Sequence, residues 1–227
     1  MKKEDKTKTS LKSYIDFIVA VILKPVTAFK KELNKFDDIK IAGIYTAIVA
    51  AVIMLINLIN QIIISVRIPV RTGGNWMTPG TVTGHEWDWS GMNELPWVEL
   101  ILRNYLIYIA VIAGVALVYF LAGLIAKKEV KYQRVLAVVT TSAIPVIVLG
   151  MVLAPLFGWI HFSLGFIVAS AALIYVFALL FSGINAALSL EDADVRVYLH
   201  AGCMLLLAII SYFVIQQMAT SIFADLF

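Results

Sequence analysis

Residues 41–66 read IAGIYTAIVAAVIMLINLINQIIISV, a stretch with no Asp, Glu, Lys or Arg. Fourteen of its positions are Ile, Leu or Val. They contribute on the order of −4 to −8 kcal/mol on an insertion scale where one central charge costs ~3 kcal/mol. A helix rising ~1.5 Å per residue needs ~20 apolar residues to cross the hydrocarbon core, so this stretch is one span. The pattern recurs: no charge lies between Arg103 and Lys127, between Arg134 and Glu191, or between Arg196 and Asp225. The stretch 135–190 is too long for one crossing and fits two, turning near Pro155-Leu156-Phe157-Gly158-Trp159-Ile160-His161. The expected fold is an all-α membrane protein, a five-transmembrane-helix bundle with spans at about 41–66, 100–126, 135–157, 163–189 and 197–224.

Composition agrees. The 227 residues are 61% hydrophobic and 15% charged, against about 25% charged in soluble domains. The net charge of +3 follows the membrane pattern and indicates no nucleic-acid partner. Cys203 is the one cysteine, which excludes an internal disulfide framework. The short apolar run Phe17–Leu23 leads into Lys24-Pro25 rather than a small-residue cleavage site, so no cleavable signal peptide is expected.

Basic residues orient the bundle. With the N-terminus inside, inner segments hold fifteen Lys or Arg, and outer ones hold Arg67, Arg71 and Arg103. Trp76, Trp87, Trp89, Trp97 and Trp159 all fall on the outer side, a one-sided aromatic belt. The expectation is N-in and C-out, with residues 67–99 as a Trp-rich extracytoplasmic loop. In that loop Pro79-Gly80, between Trp76-Met77-Thr78 and Thr81-Val82-Thr83, permits a small hairpin.

Residues 1–40 hold ten lysines against six acids. Val26, Phe29, Leu33 and Phe36 share one helical face, and Lys30, Lys31 and Lys35 fall away from it. Pro25 suits the first helical position. This is expected to be an amphipathic interfacial helix on a cytoplasmic segment 1–40, its apolar face at the acyl boundary and its lysines on anionic headgroups. Residues 11–23, interrupted by Lys12 and Asp16, are read as a second in-plane segment, with a re-entrant helix as the alternative. Membrane lipids, with anionic headgroups at the inner face, and other membrane proteins are the expected partners.

No catalytic or nucleotide signature is present, and apart from Arg103 at the outer end of span two every span lacks a carboxylate, Lys or Arg, which argues against proton-coupled transport and intramembrane hydrolysis. No enzyme activity and no cofactor are expected. His85, Glu86 and Asp88 are the strongest metal-like cluster, yet their spacing matches no known metal signature; a solvated loop explains them. His200 and Cys203 share a face of span five, which two ligands do not make a site. Two polar sets inside the spans are more informative. Asn57, Asn60, Gln61, Asn104, Tyr105, Tyr108, Gln216, Gln217 and Thr220 lie toward the outer side. Thr140, Thr141, Asn185 and His200 lie toward the inner side. Amides and hydroxyls in hydrocarbon need partners, so these sets are read first as interhelical glue, with spans one and five as expected neighbours. A polar cavity for a lipid headgroup or small solute is the alternative. Pro145 removes a helical hydrogen bond from the Thr141 carbonyl, and a kink in span three is expected.

Pro25-x-x-x-Phe29 precedes five spans. Lys127-Lys128-Glu129-Val130-Lys131-Tyr132-Gln133-Arg134-Val135-Leu136-Ala137 is followed by Ile144-Pro145, and the run Tyr175–Leu188 passes through Gly183. In this layout, over roughly residues 20–220, the chain resembles the Yip1-like membrane proteins. The Asp-Leu-Tyr-Gly-Pro motif of eukaryotic members is absent, so the resemblance implies a prokaryotic member and not the GTPase-linked trafficking role. It implies a non-enzymatic membrane scaffold or adaptor acting on membrane organisation or partner membrane proteins. The alternative is a permease or lipid-handling transporter subunit using the outer polar set.

Topology is directly testable. In a background with Cys203 replaced, single cysteines at positions 73, 85 and 160 are expected to label from outside, and those at 8, 128 and 192 from inside. External labelling at 128 would sink the N-in arrangement.

Overall fold

The computed structural model describes residues 11–72, 81–90 and 96–224, with the backbone alone at 11–12, 67–72, 81–85 and 213–224. Two short helices, α1 (Leu11–Leu23) and α2 (Pro25–Glu32), lead through a 3-10 turn at Leu33–Phe36 into α3 (Ile39–Val66). Strands β1 (Arg67–Thr72) and β2 (Thr81–Trp87) follow, then α4 (Trp97–Ile125), α5 (Tyr132–Ser142), α6 (Ala154–Ile160), α7 (Phe162–Ala187) and α8 (Ala193–Ala224). Five helical stretches are long and apolar enough to cross a membrane: Ile39–Val66, Trp97–Ile125, Tyr132–Ile160, Phe162–Ala187 and Ala193–Tyr212.

The third span lies at the centre. About three-fifths of it is buried, against roughly a fifth or less of each other span. It is also irregular. α5 ends at Ser142, and a π-helical segment runs over Val146–Leu153 before α6 resumes. Pro145 and Pro155 bracket that segment and each lacks the N–H an α-register needs, so the local disruption is longer than a kink at one residue. α6 and α7 form a tight hairpin. A Cβ on Gly165 would lie 2.7 Å from the Ala154 carbonyl oxygen, so only glycine lets the two backbones meet there.

α1 and α2 pack together, and α2 lies along α7. Phe29, Leu33 and Phe36 are buried, and only Val26 of the expected acyl-facing stripe is exposed. The apolar face is therefore covered largely by the spans and not by lipid. Gly183 makes this possible: a Cβ there would lie 2.5 Å from Val138 Cγ1 and 3.0 Å from the Phe29 ring. In the loop, β2 begins at Thr81 as a hairpin after Pro79-Gly80 requires, but it pairs antiparallel with Arg67–Thr72. Trp76, Met77, Thr78 and the Pro79-Gly80 turn lie outside the described residues.

Gly183→Ala is expected to lower the detergent-phase unfolding midpoint by a loss of ~1–3 kcal/mol, the usual cost of overpacking. Val138→Ala in the same chain should recover part of it. Gly114→Ala, where a Cβ meets nothing within 4 Å, should not lower the midpoint. Equal midpoints for Gly183→Ala and wild type would show that the contact is not close-packed.

Candidate functional site

Three sequence features far apart in the chain meet at one seam. Pro25 disfavours the α conformation in the residue before it, and Lys24 accordingly takes φ −145°, ψ 67°, which folds α2 back on α1. Phe29, four residues on, fills the hollow over Gly183 beside Val138. Below it Phe17, Phe36 and Tyr45 form an aromatic cluster, with centroids 5.1 Å (Phe17–Phe36) and 5.2 Å (Phe36–Tyr45) apart.

The lower edge of the seam is polar. Asp37 follows the 3-10 turn and is held by the start of the third span. Lys131 Nζ donates to its carboxylate at 2.7 Å, and Arg134 donates through Nε and through Nη2, the latter at 2.9 Å. Arg134 Nη2 also reaches Asn34 Oδ1 at 2.9 Å, and Gln133 Nε2 donates to the Asp37 carbonyl at 2.8 Å. The bidentate guanidinium contact is the strongest of these. Arg134, then Lys131, hold the Asp37 carboxyl down from 3.8 to about 2.

Above the clamp, two hydroxyl pairs join α3 to α5: Tyr45 Oη to Thr141 Oγ1 at 3.0 Å and Thr46 Oγ1 to Thr140 Oγ1 at 2.8 Å. Thr141 gives its own proton to the Ala137 carbonyl, so Tyr45 is the donor. Thr46 and Thr140 each also lie within reach of a carbonyl one turn back. Each hydroxyl has one proton, so one of the two must release its carbonyl to donate across. The inner polar set thus divides. Thr140 and Thr141 belong to the seam; His200 pairs instead with Tyr119 Oη through Nδ1 at 3.3 Å, joining α8 to α4, with Phe181 at 4.6 Å between ring centroids. Asn185 stands apart, its Oδ1 buried without a partner among the described residues.

The outer set also divides. Asn60 Nδ2 donates to the Met151 carbonyl at 2.8 Å. In an α-register that carbonyl would accept from residue 155, which is proline. Asn57 lies close to Tyr108, and Tyr105 Oη approaches the Ala47 carbonyl at 3.5 Å. Gln61 lines a separate recess beside Trp97, and Asn104 is half-buried on α4. Gln216, Gln217 and Thr220 lie on α8, but their side chains are outside the described ones. The principal neighbour of α8 is α4, while α3 packs on α4 and the third span. Among the described side chains the partner found for Asn60 is span three. A cavity of about 530 Å³ opens beside Asn57, Asn60, Met151 and Trp159.

Elsewhere, Lys30 and Lys31 are exposed and Lys35 pairs with Glu32. Asp88 accepts from the Ser90 N–H at 2.9 Å and Glu86 is exposed. The side chain of His85 lies outside the described ones. Among the described residues no three His, Cys, Asp or Glu gather as a metal site. Asp192 caps α8, accepting from the N–H of Asp194 at 2.8 Å and of Val195 at 3.3 Å. Lys131, from the basic connector, pairs with Asp37. Asp37, Tyr45, Thr46, Tyr119 and Tyr175 were not singled out from sequence. For Asp37 a signal existed: an acid directly before span one, within a lysine-rich segment.

Compared with known proteins, the chain matches the family model described as the Yip1 domain over residues 19–215. No curated protein and no solved structure matches it significantly.

Asp37→Asn is expected to loosen residues 25–36. An ion pair this exposed contributes about 0.5–1 kcal/mol, so their hydrogen exchange should quicken roughly two- to fivefold. The folded carboxyl titrates below its unfolded value. The clamp is therefore complete above pH ~4 and lost as pH falls toward 2, so exchange protection should not change from clamp titration between pH 5 and 8. Unchanged exchange in Asp37→Asn would show that the aromatic contacts alone hold the segment.

Proposed function

Because the chain belongs to the Yip1 domain family, we propose that it is a non-enzymatic membrane scaffold or adaptor, acting on membrane organisation or on partner membrane proteins. The seam carries this reading. Its polar groups are spent on one another, fixing the N-terminal segment to the third span as a rigid platform. In this reading the N-terminus and the 127–131 connector face the cytoplasm of a bacterial cell, and the segment 1–40 presents Lys30, Lys31 and Lys35 to anionic headgroups. Each contributes ~1 kcal/mol near such a surface.

A second reading has its own observation. The cavity beside Asn57, Asn60 and Met151, about 530 Å³, has the size of a small-ligand site and would suit a permease or lipid-handling subunit.

Affinity purification in mild detergent, with mass spectrometry of co-purifying proteins and lipids, separates the two. The scaffold reading expects a reproducible set of membrane proteins that survives Asn60→Leu. A single lipid or solute enriched over the bulk, lost in Asn60→Leu and unaccompanied by protein partners, would overturn it in favour of transport.

A further inference from the structure

We propose that residues 11–36 form a re-entrant hairpin that enters one leaflet, displaces its acyl chains and returns to the same surface, with Lys24 at its tip. The occupant of its outer face is therefore the lipid tails of the leaflet adjoining the 127–131 connector. The inference goes beyond the scaffold reading and stands or falls without it, because it concerns depth and not partners.

The depth follows from two contacts with α7. Phe29 packs at Gly183, near the end of α7 at Ala187. Tyr175 Oη donates to the carbonyl of Ile22, at the other end of the hairpin. Tyr175 lies eight residues before Gly183 and twelve before Ala187, so at ~1.5 Å per residue these contacts are ~12 Å apart, the upper one ~18 Å from the helix end. One leaflet of hydrocarbon is ~15 Å deep. A helix lying in the interface plane would not reach the middle of a span.

The Ile22 carbonyl supplies an independent argument. It belongs to the last turn of α1, where carbonyls have no helical partner. In water such a group needs no protein donor; in hydrocarbon it costs several kcal/mol unmet. Here it is met by a tyrosine from the middle of a span.

Side-chain chemistry fits the placement. Phe17 and Val21 are buried inward, whereas Ile15, Val19, Leu23 and Val26 face outward, with Leu23 73% exposed. Phe17–Leu23 carries no charge. Asp16 lies eight residues before Lys24, ~12 Å back toward the surface, and Lys30 and Lys31 return to that level. Lys24 alone is deep, and its four-carbon stem allows its ammonium to snorkel toward the headgroups.

Depth measurement by spin labels tests this. In full-length protein in liposomes, with Cys203→Ala, labels at 15, 19 and 23 are read against Ile174, a lipid-facing position of α7 that is 70% exposed, and against Lys31. Depth is expected to increase from 15 to 23 by ~12 Å, with 23 within about one helical turn of 174 and 15 close to 31. Equal shallow depths at 15, 19 and 23 would overturn the hairpin. So would reaction of a cysteine at 23 with a water-soluble thiol reagent from either side.

Discussion

Hydrocarbon offers neither donor nor acceptor, and this protein breaks its apolar helices at prolines, where backbone carbonyls lose their partners. The breaks persist because neighbouring side chains answer them. Asn60 supplies the Met151 carbonyl with the donor that Pro155 lacks. Tyr175 supplies a donor to the Ile22 carbonyl, in the last turn of α1 beside the break before Pro25. Each substitute comes from another helix, so each local break also becomes a tertiary tie.

Those ties converge on the third span. Its first turns hold Asp37 through Lys131 and Arg134, its middle bonds Tyr45 and Thr46, and its π-helical part receives Asn60. Burial follows: it is the one span largely covered by protein, with α3, α4, α7 and the turn at Leu33–Phe36 packed against it. The N-terminal segment is thus a sixth packing element of the bundle. Removing its anchors exposes Gly183 and Val138 directly to lipid.

Much of this was legible in the residues, for physical reasons. Charge-free runs of more than twenty residues admit one solution, and all five crossings were found from them. The break at Pro25 and the irregularity at Pro145 were legible because proline acts locally. What escaped was pairing across the chain. Val26, Phe29, Leu33 and Phe36 form an apolar stripe whether lipid or protein covers it, and only the missing Cβ of Gly183, some 150 residues on, decides the matter. Asn60 shows the same limit: the need for a partner was plain, but its being a backbone carbonyl freed by Pro155 was not.

The cavity beside Asn60 bears on how the two functional readings compare. Its polar lining is not idle. The Asn60 amide is engaged with the Met151 carbonyl. A polar solute would have to displace this bond and leave a buried carbonyl unmet, at a cost of about 1–3 kcal/mol. Ile63, Ile64 and Pro155 complete the lining, and an acyl chain could lie against them without disturbing that amide. The cavity thus favours apolar over polar contents, and that is the environment a scaffold's surface meets in any bilayer. Transport of a polar solute would need the Asn60 amide free, and in this structure it ties span one to span three.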